Sequence, residues 1–463
     1  VIVEPPLRVD LQPPEETHRM SKSNVATKWV TMPVDHFDPT NMDTFQMRYM
    51  VNEEFFGGAG SPIFIFVGGE WEIGSGWLLV GNMYEMAKIN KGYMIYTEHR
   101  YYGETFDFTT ENLKYLNVDQ ALGDLVLFIH EMRKEERFAN SEIVLCGCSY
   151  AANMVLWFKQ RYPYLVKGVV ASSGPIKAKV NYHEYLEVVH EAFLLEGGEN
   201  CISHMRQGIQ DIAKAMETPN GRRELERAFR LCNGLDYDDH LTMGYFSGII
   251  TWAFSSPTQS ASIYVFVPTG YIAWRNNWPE CVRFSFDMFI NNYNSTGASR
   301  AWYYQTCTEY GYYQISEKVG TVFDPLYWLD VDFYVEVCKR AFDIKFDKEF
   351  VYDAADRVNL MFGALSPVVN NTINIHGHND PWRALGVYEE DITDTSPTFN
   401  VARASHCFDI QSWQSTDTIA MTNVKQRIQR IVTSWLNPFR TAHANWRKFF
   451  PIYRTAHANW RAN

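Results

Sequence analysis

Residues 141–175 read SEIVLCGCSYAANMVLWFKQRYPYLVKGVVASSGP. Ile143, Val144 and Leu145 make a short apolar run, the pattern of a buried strand. A tight turn follows at Gly147-Cys148-Ser149-Tyr150-Ala151. Ala152, Met154, Val155, Phe158 and, beyond Pro163, Leu165 continue an apolar stripe at helical spacing, and KGVVA at 167–171 restarts a strand. Strand, sharp turn, helix and strand in that order raise the Ser149 hydroxyl above a sheet edge. The N–H groups opening the helix point into the same space. That geometry suits a serine nucleophile and the oxyanion its attack creates. A plain N-cap serine has the same local look, so the reading depends on partners elsewhere in the chain.

Composition sets the frame. At 463 residues, 46% of them hydrophobic, the chain can bury a large core as one big domain or two. Its net charge of −12 argues against nucleic acid as a partner. No apolar run is long enough to cross a membrane, and no signal segment is read in a chain that opens on Val1, so a processed form or fragment is expected. Eight cysteines are present, five of them at 201, 232, 281, 307 and 338, and Cys146, Cys148 and Cys407 beside candidate site residues. No cysteine or histidine spacing suggests zinc, and no metal or cofactor is expected. Asn294-Ser295-Thr296 and Asn370-Asn371-Thr372 are glycosylation sequons. With the cysteines they point to an oxidising, secretory route.

Residues 1–24 are Pro-rich and charged and read as an extended arm. Alternation in 29–34 and 45–50 predicts a first pair of strands. PIFIFV at 62–67 is a buried strand feeding the turn Gly68-Gly69-Glu70; a helix at 83–90 and a strand at 93–96 follow. Residues 118–135 form an amphipathic helix leading into the strand before Ser149. Alternating strands and helices mean an α/β fold with a parallel, doubly wound sheet, whose functional residues gather at the carboxyl edge. The first part of that domain is expected at 25–177. From 178 to 353 helical periodicity dominates, as in 182–195 and 201–217, and predicts a helical cap inserted over the sheet. The sheet domain resumes at 354–440, with strands at 372–375 and 399–401 and a closing helix at 418–435. A tail at 441–463 repeats RTAHANWR.

Asp380 and His406 each come shortly after one of those last two strands. Ser149, Asp380, His406 is the chain order of an α/β-hydrolase triad: a nucleophile, a carboxylate that fixes the tautomer of the base, and the base. Taken singly, Asp380 before Pro381-Trp382 is ordinary turn chemistry and His406 an ordinary core histidine. His378 and His99 stay open as alternative bases, and His376 with His378 lacks a third metal ligand.

EHRYYG at 98–103, GCSY at 147–150, WYYQTCTE at 302–309, DPW at 380–382 and SHC at 405–407 resemble one family. It is that of lysosomal Pro-X carboxypeptidase, dipeptidyl peptidase II and thymus-specific serine protease. The likeness runs from Trp29 to Trp435, and the SHC context looks closest to the thymus-protease and contortin-like nematode secreted branch. The resemblance implies an α/β-hydrolase with a large helical cap and exopeptidase activity after proline. It also implies a secreted or acidic lysosomal setting and homodimers. It gives Ser149, Asp380 and His406 their triad roles, the N–H groups of Tyr150 and Gly69 the oxyanion hole, and the pairs Cys201–Cys281 and Cys307–Cys338 as disulfides, with Cys232 left over.

Departures bear on specificity. Ala151 and Ala152 stand where the family has glycines, Asn153 where it has an apolar wall of the proline pocket, and Arg383 where it has a small residue. Trp382 and Tyr312 keep two walls. Asn153, one turn past Ser149, is expected to border the pocket and lose water without gaining a partner. A substrate carboxylate would need a cation, for which Arg383 is the candidate; a substrate amine would need Glu70 or Glu309. The reading is a serine exopeptidase acting on peptides. The alternative is a catalytically weak member with a structural, oligomer- or filament-forming role, and the altered turn favours it.

Overall fold

The computed structural model describes residues 24–104, 110–232, 234–260, 281, 285–293, 297–316, 320–366, 369–388 and 396–437. The N-terminal arm up to residue 23, the Asn294 sequon and the repeated tail lie outside them. Five strands of the large sheet are buried along their whole length: β3 (Ile63–Val67), β4 (Tyr93–Thr97), β5 (Ile143–Cys148), β6 (Gly168–Ser172) and β9 (Thr372–Gly377). Unbroken apolar strands of this kind belong to a parallel sheet covered on both faces. β1 (Val25–Pro33) and β2 (Thr44–Asn52) instead alternate, and pair antiparallel with Met32 opposite Phe45. With β10 (Thr398–Val401) they complete an eight-stranded sheet of order β1-β2-β4-β3-β5-β6-β9-β10. Every pairing from β4 to β10 is parallel; β2 meets β4 antiparallel.

This is the α/β-hydrolase fold. The chain starts its parallel core at β3, adds β4 on one side, then crosses to add β5 on the other. The carboxyl ends of β3 and β5 therefore flank a switch point, where a crevice opens above the sheet. The helices between strands pack in pairs. α1 (Asn82–Asn90) lies against the last helix, Ile419–Leu436, with Gln429 Nε2 donating to Asn82 Oδ1 at 3.0 Å. α2 (Val118–Arg133), capped by Asn117 accepting from Gln120 N, contacts α3 (Tyr150–Arg161).

Between β6 and β9 the chain is mainly helical. α4 (Glu184–Met216) joins the two expected helices across a break at Gly198, whose φ of 69° a side chain would resist. α5 (Pro219–Ala228), α6 (His240–Ser260) and the helices Ala298–Gln305, Val331–Ala341 and Lys348–Phe362 follow. The expected boundary at 353/354 falls inside the last of these, which runs unbroken. β7 (Lys179–Asn181) and β8 (Gly311–Tyr313) make a small parallel pair. No helix among the described residues is long and apolar enough to cross a membrane.

Candidate active site

β5 ends at Cys148, and Ser149 carries φ 58° and ψ −130° before α3 begins. That left-handed backbone is strained for a residue with a Cβ. The turn closes because Ser149 N donates to Ser172 O at 2.9 Å and Ala152 N to Ser149 O at 2.9 Å. Gly147 is required here, since a Cβ on it would collide with the Ala151 carbonyl. The two alanines that depart from the family pattern are fully buried, and the Ala152 methyl faces Gly174, where a Cβ would come to 3.0 Å. The extra methyl of Ala152 is thus accommodated by a neighbouring glycine. Ser149 remains partly exposed.

Asp380 leaves the end of β9, fully buried, and caps the short 3-10 turn Pro381–Leu385 by accepting from Trp382 N at 3.0 Å. His406 follows β10. Its Nδ1 lies 2.9 Å from both Asp380 carboxylate oxygens, and its buried Nε2 has no hydrogen-bond partner among the described residues. Burial raises the Asp380 carboxyl, but the His406 ring and its hydrogen bonds outweigh that and hold it below the ordinary value. His99 Nδ1 faces the Arg100 carbonyl at 2.6 Å and Nε2 the Tyr150 hydroxyl at 3.2 Å, while His378 is exposed. Cys148 Sγ, Cys407 Sγ and a His406 nitrogen lie within 4.8 Å of one another, but the two sulfurs are bonded to each other and offer no thiolates to a metal.

A strained serine at a strand end, a histidine with one ring nitrogen on a carboxylate and the other unsatisfied, and helix-opening amides can together perform acyl transfer. Tyr150 opens α3, so its N–H belongs to a first turn without intrahelical acceptors. In the β3–β5 register Phe66 lies opposite Cys146; Gly69 and Ser149 are each three residues further on.

Comparison with known proteins agrees with this geometry. The chain matches the serine carboxypeptidase S28 family over residues 32–261 and 279–428. It belongs to that family. Thymus-specific serine protease of Mus musculus is 25% identical over 90% of this chain and 88% of its own length. Lysosomal Pro-X carboxypeptidase of Bos taurus is 24% identical over 94% of each chain, and a Caenorhabditis elegans relative is 29% identical over 91% and 90%.

In this S28 peptidase the EHRYYG stretch is a set of struts. Glu98 pairs with Arg48 at 2.6 Å, Arg100 with Asp124 at 2.6 Å, and Tyr102 donates to Gln305 Oε1 at 2.6 Å. Gln305 Nε2 in turn reaches the Tyr150 hydroxyl at 3.1 Å and Glu309 at 3.0 Å, and Tyr310 OH meets Tyr150 OH at 3.2 Å. Gln305 and Tyr310 were not singled out from sequence; a polar residue inside an aromatic helical run was the available signal.

One expected disulfide changes, and the remaining candidates are placed as follows. Cys281 pairs with Cys232, not Cys201, and Cys201 is free; Cys201 sits on α4, where its neighbour is Gly197. Cys307–Cys338 forms as expected, and Cys148–Cys407 is a third disulfide. Glu309 is buried behind Tyr150, receives Val118 N at 2.9 Å, and opens onto a separate cleft of about 600 Å³ with Arg357, Asp119 and Lys345. Asn153 is fully buried but its Nδ2 has partners, Pro175 O at 3.1 Å and Tyr312 OH at 3.3 Å; only Oδ1 lacks one. Arg383 is paired with Glu191 at 2.7 Å and stacks on Tyr388. Trp382 lies between Tyr312, Tyr182 and Tyr185, ring centroids 5.4–5.6 Å away, and 6.4 Å from His406. Asn370 is exposed just before β9.

Proposed function

We propose that this S28 peptidase is a secreted or lysosomal exopeptidase that cleaves peptides through an acyl-enzyme on Ser149. The observation that carries the reading is the buried His406, paired to Asp380 at Nδ1 and unsatisfied at Nε2. Ser149 Oγ attacks the scissile carbonyl carbon and passes its proton to His406 Nε2. The oxyanion takes the N–H groups of Tyr150 and Gly69. As the C–N bond breaks, His406 returns the proton to the departing amine. A water then repeats the sequence and frees the acid. Asp380 stays ionised throughout and holds the imidazolium.

The aromatic cluster of Trp382 and Tyr312 forms the apolar walls for the residue before the scissile bond, with Asn153 behind Tyr312. A polar backing to that pocket weakens the family's preference for proline. Of the groups proposed for the substrate's charged end, Arg383 would have to leave Glu191 to bind a carboxylate, whereas Glu70 lies in the oxyanion turn itself. Three disulfides and an exposed Asn370 support a secretory route, and the resemblance supports a homodimer. An intact Asp380–His406 pair and an accommodated turn favour turnover over a purely structural role.

A fluorophosphonate probe tests the mechanism: stoichiometric labelling mapped to Ser149 is expected, and an unlabelled folded protein would leave the structural role. Peptides with proline second from either end, with products identified by mass, report which end is cut.

A further inference from the structure

We propose that the disulfide Cys148–Cys407 is a positioning element of the active site: it sets the His406 ring against Ser149, so that peptidase activity depends on this bond. The inference rests on the triad reading above. In the sheet β6 and β9 lie between β5, which carries Ser149, and β10, which precedes His406. Neighbouring strands stand about 4.8 Å apart, so the two carriers are roughly 14 Å from each other. No ladder hydrogen bond fixes one against the other. The loop bearing His406 must reach back across two strand ends, and along the way it is held by noncovalent contacts, among them the ion pair of Arg403 with Glu196. Asn379 N donates to Ala404 O, His406 N to Gln259 O at 3.2 Å, and Cys407 N to Ser173 Oγ at 2.9 Å. Asp409 accepts from Ser172, whose carbonyl accepts from Ser149 N, but none of these hydrogen bonds ties the loop directly to the nucleophile turn.

The disulfide does. It joins the residue immediately before Ser149 to the residue immediately after His406, with the two Cα atoms 6.0 Å apart, and both cysteines are buried. Asp380 fixes the rotation of the imidazole but not its distance from Oγ, because Asp380 and His406 sit on neighbouring strand ends and can shift together. Among the described residues Nε2 has no partner of its own to hold it. The covalent tie is therefore what limits drift between base and nucleophile. A misplacement of about 1 Å costs on the order of a hundredfold in rate. A chain whose Cys148 and Cys407 are still thiols would be folded and nearly inactive, and exchange with a disulfide oxidant, which leaves as its dithiol, would complete the site.

The test compares Cys148→Ser, Cys407→Ser and the double variant with wild type in steady-state kinetics. Active-site titration with a fluorophosphonate counts folded sites. Either single change already removes the bond, so each single and the double variant are expected to lose kcat equally, by about a hundredfold, with KM within about twofold. Cys232→Ser with Cys281→Ser, which removes a distant bridge, is expected to keep wild-type kcat. Should the double variant not fold, wild type is treated with a phosphine, which takes up oxygen from water and leaves both sulfurs as thiols. The activity remaining is then compared with the open bridges mapped by mass. A kcat within about threefold of wild type in the double variant, or full activity with Cys148 and Cys407 open, overturns the proposal. Wild type that neither turns over nor labels would overturn the triad reading instead.

Discussion

The hydroxyl of Tyr150 lies 3.2 Å from Nε2 of His99. Nδ1 of that ring faces the Arg100 carbonyl, which only accepts, so Nδ1 carries the proton and Nε2 accepts from Tyr150. The Tyr150 oxygen then receives Gln305 Nε2 and the Tyr310 hydroxyl. Tyr150→Phe leaves several buried groups short of a partner. It is expected to lower stability by about 1–3 kcal/mol, read from urea denaturation. An unchanged midpoint would show that the network relaxes around the gap.

Ser149→Ala is expected to abolish hydrolysis with the fold kept. The backbone supplies a second reading. At φ 58° alanine keeps the strain of serine, whereas glycine releases it. Ser149→Gly is therefore expected to be more stable than Ser149→Ala by about 1 kcal/mol. Equal melting temperatures would place the strain elsewhere.

Asp380→Asn keeps an oxygen for Trp382 N–H but presents its amide to the wrong histidine tautomer. The expected loss is about 10⁴-fold in kcat with little change in KM. A loss below about tenfold would remove Asp380 from the orienting role.

Burial pushes the Glu309 carboxyl up to about 7, against hydrogen bonds from Val118 N and Gln305 and the charge of Arg357, and pushes Asp409, which accepts from Ser172, up to about 6. Both are raised above their unfolded values, so the folded state holds more protons than the unfolded one. Stability from these groups is present at low pH and is lost as pH rises through the folded pKa values. Burial holds His99 and His376 down to about 4, and their contribution runs the other way over this range, so the expectation concerns Glu309 alone: Glu309→Gln is expected to lower the melting temperature at pH 5 relative to that at pH 7.5, compared with the same difference in wild type. The same difference in the variant would exclude Glu309 as a source.

Asn153→Met removes a buried amide whose Oδ1 has no partner among the described residues, and leaves Tyr312 with only its hydrogen bond to Pro175 O among those described. The ratio of kcat/KM for matched proline and alanine substrates is expected to rise about tenfold toward proline. An unchanged ratio would mean that Asn153 does not back the pocket.

The sheet was legible because burial on both faces forces unbroken apolar strands, as in PIFIFV and SEIVLC, and strand–helix alternation restricts how they order. Ser149, Asp380 and His406 were legible for the same reason: each comes shortly after a strand in a sheet whose carboxyl edge collects such ends. Contacts between separate elements were not. The resemblance implied Cys201 as the partner of Cys281 and left Cys232 over, whereas the fold pairs Cys281 with Cys232 and leaves Cys201 free on α4. Asn153 was assigned a face by helical geometry, but whether its amide had partners depended on Pro175 and on Tyr312, which arrives from β8, 159 residues later. Cys148 and Cys407 were visible beside Ser149 and His406, and two residues that must meet bring their neighbours together. Sequence determined which residues stand at the edge of the sheet, because periodicity is local. What each side chain touches there was decided by loops from distant parts of the chain, whose paths no local pattern encodes.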